Sequence, residues 1–191
     1  MTAFPRPERS ESAEYYFNYI DQVPSGDIRE VLAAQAVDIL PLLEGISEEQ
    51  STGRYAPDKW SIRQVLSHIN DTERVFTMRA LWFARGLQEP MPSFDQNVAI
   101  AGAGADDRTW ASHLEEFKAI RASTLALLNG LPEDTWSRQG IASGHAVDDA
   151  RHGRPDGQLQ CGELYPRFLD CHHLETPRRQ HRRSRHGDRC Q

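Results

Sequence analysis

No stretch of about 18 apolar residues occurs anywhere in the 191-residue chain, so no segment reads as a membrane-spanning helix. The opening MTAFPRPERSESAEYY lacks the apolar core of a signal peptide, and the expected location is the cytoplasm. There is no cysteine before Cys161. Cys161, Cys171 and Cys190 are an odd set at one end of the chain, which excludes a disulfide framework. Apolar residues make up only 38% of the chain, and the net charge of −6 argues against a nucleic-acid partner. What remains is a chain long enough for one domain with a core.

Three segments carry a helical period. Ser25-Gly26-Asp27 offers a helix start, followed by Ile28, Val31, Leu32, Ala36, Ile39, Leu40 and Leu43 on one face. Pro41 removes one backbone donor from the last turn, and Gly45 marks the stop. The clearest segment is Asp58–Arg85. Ser61 and Gln64 fit a capping box, with Asp58 as a competing cap. Ile62, Val65, Leu66, Ile69, Val75, Phe76, Ala80 and Phe83 form its stripe, and Gly86 ends it. The third segment is capped by Asp106 or Asp107. It carries Trp110, Leu114, Phe117, Ile120, Leu125 and Leu128 before Gly130 and Pro132. The expected helices are 12–22, 27–44, 61–85 and 108–129. Leu87–Asp107 reads as a long loop and Leu131–Gly144 as a connector carrying Trp136.

Beyond Gly144 the composition changes. Residues 145–191 hold six of the eight histidines, nine arginines, all three cysteines and no lysine. They sustain no apolar stripe. Glu163–Glu175 is the best helical piece, with Pro166 in its first turn, and His181–Gln191 is a basic stretch expected to be disordered. The expected organisation is a helical bundle over 1–144 and an atypical, irregular tail over 145–191.

The run Arg54-Tyr55-Ala56-Pro57-Asp58-Lys59-Trp60-Ser61-Ile62-Arg63-Gln64-Val65-Leu66-Ser67-His68 closely resembles the DinB-like family. So do Asp71-Thr72-Glu73-Arg74-Val75-Phe76, Arg79–Gly86, Phe94-Asp95-Gln96-Asn97 and Leu114–Arg121. The resemblance covers roughly Asp27–Gly144. It implies an all-α, up-down antiparallel four-helix bundle, often a homodimer. It also implies a divalent metal, zinc or nickel, held by three histidines: one on the second helix in a Trp-Ser…His pattern, two from a His-x3-His pair on the fourth. Relatives include thiol S-transferases and isomerases that use low-molecular-weight thiols.

His68 matches the first ligand position. On a helical wheel it lies about 40° from Thr72 and about 20° from Val75, so it faces the bundle interior or its edge. An imidazole there needs a partner, either a metal or a nearby carbonyl or carboxylate. No His-x3-His pair occurs in the chain. His172 is the remaining candidate ligand, within Cys171-His172-His173; the adjacent His173 would point about 100° away on a helix. His68 and His172 alone make a two-point site, which is weak for zinc. The fourth helix therefore reads as degraded or replaced by the tail.

The change at Gly144 suggests a shifted reading frame. Leu174–Cys190 can be encoded so that moving one base gives a His-His pair in a far less arginine-rich string. The alternative is a diverged tail. Asp71, Glu73 and Arg74 are read either as acid–base residues or as a solvated face with local ion pairs, and the solvated face is favoured. His113 is expected at the surface. A separate zinc site from Cys161, Cys171, His172 and His173 matches no common ligand spacing. The functions in view are a metal-dependent thiol transferase or hydrolase, and a metal-free bundle with a binding or structural role or an inactive product of a frameshifted gene.

Overall fold

The structure, a computed structural model, describes residues 20–142, the single positions Arg9 and Phe17, and a strand at Gln158–Gln160. Among the described residues, four helices with complete bounds follow in order: α1 (Ile28–Glu44), α2 (Ile62–Ala84), α3 (Gln96–Gly102) and α4 (Trp110–Asn129). Three 3-10 turns lie at Gln50–Thr52, Ala105–Asp107 and Glu133–Ser137. Strand β1 (Gln139–Ile141) pairs antiparallel with β2 (Gln158–Gln160), with Gly140 opposite Leu159. The all-α four-helix-bundle class holds, with this short ladder added at one end. Within the expected helix at 12–22 the described residues are Phe17 and Ile20, both helical and buried, and Asp21 and Gln22, which lie in an exposed turn. The tail, its proposed helix and its residue-level expectations lie outside the described residues, apart from β2.

The helix ends follow local chemistry. Asp27 caps α1 by accepting from Arg29 N at 2.9 Å, and α1 runs through Pro41 to Glu44. At α2, Ser61 Oγ accepts from Gln64 N at 3.1 Å and Gln64 Oε1 accepts from Ser61 N at 2.9 Å, the expected capping box. Asp58 does not compete; it sits in the left-handed region at φ 61°. Gly86, at φ +73°, closes α2 with a Schellman turn: Gly86 N donates to Phe83 O and Leu87 N to Trp82 O. Thr109, rather than Asp106 or Asp107, caps α4 by accepting from Ser112 N at 3.3 Å. The expected loop at Leu87–Asp107 contains α3, capped by Asp95 on Asn97 N and Val98 N.

The order of contacts sets the helix directions. Asn70 meets His113 and Glu116, Glu73 meets Arg121, and Thr77 meets Thr124. Partners on α2 and α4 rise together, so these helices run the same way. Against α1 the order reverses: Leu32 meets Arg121, whereas Leu43 meets Trp110. Up-down alternation thus describes α1 against its neighbours. Two parallel helices about 30–35 Å long need a connection that returns the length of the bundle, which accounts for the long 85–109 segment.

The core has two apolar ends. One gathers Ile28, Leu32, Phe76, Ala80, Phe83, Leu128 and Trp136. The other gathers Leu43, Leu66, Ile69, Trp110, Leu114 and Phe117. A polar layer separates them. Arg121 and Glu73 form a buried ion pair, and Arg121 also donates to Leu32 O and Gln35 Oε1, both at 2.9 Å. Thr77 and Thr124 hydroxyls meet at 3.0 Å. This corrects two expectations. Glu73 is not on a solvated face but 1% exposed, and His113 is not at the surface but fully buried. Glu73 pairs with Arg121 across the α2–α4 seam, and the His113 ring meets the Ala105 carbonyl at 2.9 Å. Trp136, from the expected connector, is also in the core.

Candidate functional site

The N-terminus of α2 is anchored before any functional side chain is placed. Arg54 donates to Lys59 O at 2.6 Å, Gln64 Oε1 at 2.7 Å and Asp106 Oδ2 at 2.6 Å. Ser61 Oγ donates to Asp106 Oδ1 at 2.5 Å. The Asp106 carboxylate of the 105–107 turn therefore clamps the capping box of α2. Arg63, also buried, donates to Ser51 Oγ, Arg108 O and Glu48. Glu48 Oε2 in turn accepts from Trp110 N at 2.8 Å and holds the start of α4.

This knot fixes Trp60 beside the helix. The Trp60 and His68 rings lie 5.1 Å apart between centroids at an interplanar angle of 56°. His68 is half-buried. Its Nδ1 is 3.3 Å from Thr72 Oγ1, the next turn of the same face. The expected inward or edge position of His68 is where the residue lies. Its i,i+4 threonine is a contact that helical spacing makes available.

One turn along, a charged group spans α2 and α4. Glu116 accepts from Arg74 Nη2 at 2.7 Å, from Arg108 Nη1 at 2.8 Å and from Asn70 Nδ2 at 3.3 Å. Burial pushes the Glu116 carboxyl up, but the hydrogen bonds and charges of Arg74 and Arg108 outweigh it and hold it below its ordinary value. Asp71 behaves oppositely. Burial raises its carboxyl above the ordinary value, Arg74 opposes that, and Glu116 reinforces it. Asp71 Oδ1 is 3.4 Å from Arg74 Nη1. Glu116 and Arg108 carried no local sequence signal, because their roles depend on α4 lying parallel to α2.

Behind this group lies a buried polar pair. Asn70 Nδ2 is 3.4 Å from His113 O, and His113 Nε2 is 2.9 Å from Ala105 O. The Asn70 Oδ1 and His113 Nδ1 atoms have no hydrogen-bond partner.

The donors at His68 can be tested against a divalent metal. Among the described residues, no three His, Cys, Asp or Glu side chains converge. His68 offers one imidazole, Glu73 is committed to Arg121, and Glu116 to two arginines. The described residues do not make up the three-ligand set that a catalytic zinc site uses. His172, Cys171, His173 and Cys161 lie outside the described residues.

The sequence model of the DinB superfamily matches residues 31–154. The chain belongs to the DinB superfamily. The match continues ten residues past the boundary expected at Gly144. None of the curated proteins matches by sequence. Among solved structures, this DinB chain is similar to YfiT from Bacillus subtilis. That protein is described as "a probable metal-dependent hydrolase with an unusual four-helix bundle topology". The identity is 16% and the TM-score 0.59, over 91% of this chain and 88% of that one. It is also similar to a mycothiol-dependent maleylpyruvate isomerase, at 14% identity and a TM-score of 0.55. That likeness covers 75% of this chain and only 56% of the isomerase. At these identities the likeness establishes the bundle, while function rests on the site. No helix among the described residues is long and apolar enough to cross a membrane.

Proposed function

We propose that this DinB protein descends from divalent-metal-dependent thiol S-transferases or hydrolases and keeps the His68 face of α2 as a small-molecule site. His68 holds the first metal-ligand position in this reading, and a low-molecular-weight thiol is the favoured ligand class. The bundle as it stands works without a complete metal centre. The observation that carries this is the setting of His68: half-buried, in contact with Trp60 and Thr72, while the Glu73 and Glu116 carboxylates of the α2–α4 seam are already paired to arginines. The names of the two similar structures, one a metal-dependent hydrolase and one a thiol-dependent isomerase, support the class of ancestor. The same reading takes 1–144 as the bundle and 145–191 as a segment translated in a shifted frame; a gene with no fourth-helix pattern in either other frame removes that part.

A bound metal would supply a lowered pKa for a thiol or water at His68. The second reading, a working metal enzyme that adds His172 as a ligand, is favoured by the half-buried position of the His68 imidazole. Metal analysis of the purified full chain separates the two. Equal, substoichiometric zinc and nickel in the wild type and His68→Ala is the expected result. One equivalent in the wild type that disappears in His68→Ala establishes the metal enzyme instead.

A further inference from the structure

Three acidic side chains, Asp71, Glu73 and Glu116, lie along the seam of α2 and α4, and they are not equivalent. Glu73 is sealed in the core by Arg121. Glu116 has both oxygens engaged by arginines. Asp71 has one long contact, Oδ1 to Arg74 Nη1 at 3.4 Å, and its Oδ2 has no hydrogen-bond partner among the described residues. It is also half-buried, with 32% of its side chain exposed. Asp71 follows His68 by three residues, which brings the two Cβ atoms to about 5–6 Å on adjoining helix positions.

We propose that Asp71 is the proton acceptor of the His68 site, taking the proton of a small thiol or water bound there. This rests on the reading that the His68 face is the site. The charged groups that set its titration are Arg74 on α2, Glu116 on α4 and Arg108 just before it. Burial raises its carboxyl, Arg74 lowers it, Glu116 raises it and Arg108 lowers it. The net upward direction makes it a stronger base than an ordinary aspartate, and its one-sided pairing leaves a lone pair for the incoming proton. Arg74 Nη1 stands 3.4 Å from the other oxygen, Oδ1.

With a thiol the step balances as follows. The S–H bond breaks and its proton goes to Asp71 Oδ2. The thiolate sulfur forms a bond to an electrophilic carbon, and the leaving group departs with its electron pair. Asp71 then returns the proton to water. Such positioned proton transfer accelerates a reaction by about 10²–10⁴-fold.

The test uses the full chain with 2-mercaptoethanol and 1-chloro-2,4-dinitrobenzene as probes, in which chloride leaves as the C–S bond forms. The protein-dependent rate is followed against pH for the wild type, Asp71→Asn, Asp71→Glu and His68→Ala. Asp71→Asn is expected to lose about ten-fold or more of that rate. It should also lose the limb that rises with pH above the ordinary aspartate range, with Asp71→Glu recovering part of both. A wild-type rate and limb in Asp71→Asn overturns the proposal. If His68→Ala falls while Asp71→Asn does not, the His68 reading stands and the Asp71 proposal fails. If Asp71→Asn falls and His68→Ala does not, the His68 reading fails and with it the place of Asp71 in that site. No protein-dependent rate in any of them overturns both. Matched melting curves confirm that the isosteric Asp71→Asn is folded.

Discussion

Arg121 grips Glu73 with two parallel bonds, Nε to Oε1 at 2.9 Å and Nη2 to Oε2 at 3.0 Å, in the middle of the bundle where both side chains are buried. The pair joins α2 to α4, and Arg121 extends the link to α1 through Leu32 O and Gln35. Removing one partner strands a charge in the core. Arg121→Met or Glu73→Leu is therefore expected to cost about 3–5 kcal/mol. The double variant, which removes both charges, should recover most of that. Urea unfolding of the four proteins measures the coupling; simple addition of the two losses would show that the pair does not act as a unit.

Gly140 lies so close to Phe83 that an added Cβ would come within 2.1 Å of the ring. Phe83 is fully buried and has little room to give. Gly140→Ala should cost about 1–3 kcal/mol through overpacking. Phe83→Leu in the same protein should relieve part of the loss. A thermal melt of Gly140→Ala that matches the wild type would mean the strand does not rest on Phe83.

Ser61 serves two partners at once, accepting from Gln64 N and donating to Asp106. Ser61→Ala removes the cap and the clamp, and a loss of about 0.5–2 kcal/mol follows from the cap alone. Because the clamp also sets Trp60 against His68, the variant should change Trp60 emission in the folded state. An unchanged spectrum together with unchanged stability contradicts the clamp.

Two aspartates should titrate in opposite senses. Asp27 is held below its ordinary 3.8, first by the hydrogen bond from Arg29, against an opposing desolvation. Its stabilising share is present above pH 3.8 and is lost as pH falls through the lower folded value. Asp71 is raised above 3.8, first by burial. Its share is present below 3.8 and is lost as pH rises through the higher folded value. Urea midpoints from pH 2 to 7 should show Asp27→Asn losing part of the acid-side fall, and Asp71→Asn losing part of the decline on the way up. Curves parallel to the wild type in both variants contradict these assignments.

Much of the bundle was legible because its signals are local. The capping box at Ser61 and Gln64, the glycine at 86 and the apolar stripes place α2 and α4 to within two residues of the structure. What escaped was set by tertiary contact. Glu73, Arg121 and His113 are polar letters within amphipathic segments, and such letters read as solvent until the facing helix is known. Asp106 reads as a helix cap by its position, yet its carboxylate serves Arg54 and Ser61 from 45 or more residues away in sequence. The direction of α4 was equally hidden; the long 85–109 segment was its sole trace. At the site, His68 and Thr72 follow from helical spacing, whereas the difference between Asp71 and Glu116 depends on which carboxylate Arg108 can reach.

Ring-nitrogen NMR of the histidines during a zinc titration of the full chain tests the central reading most directly. His68 is expected to respond weakly and without saturation at one equivalent, because the described residues give the ion one imidazole and no converging partners. Tight one-to-one binding that shifts His68 together with His172, and vanishes in His68→Ala, would contradict it.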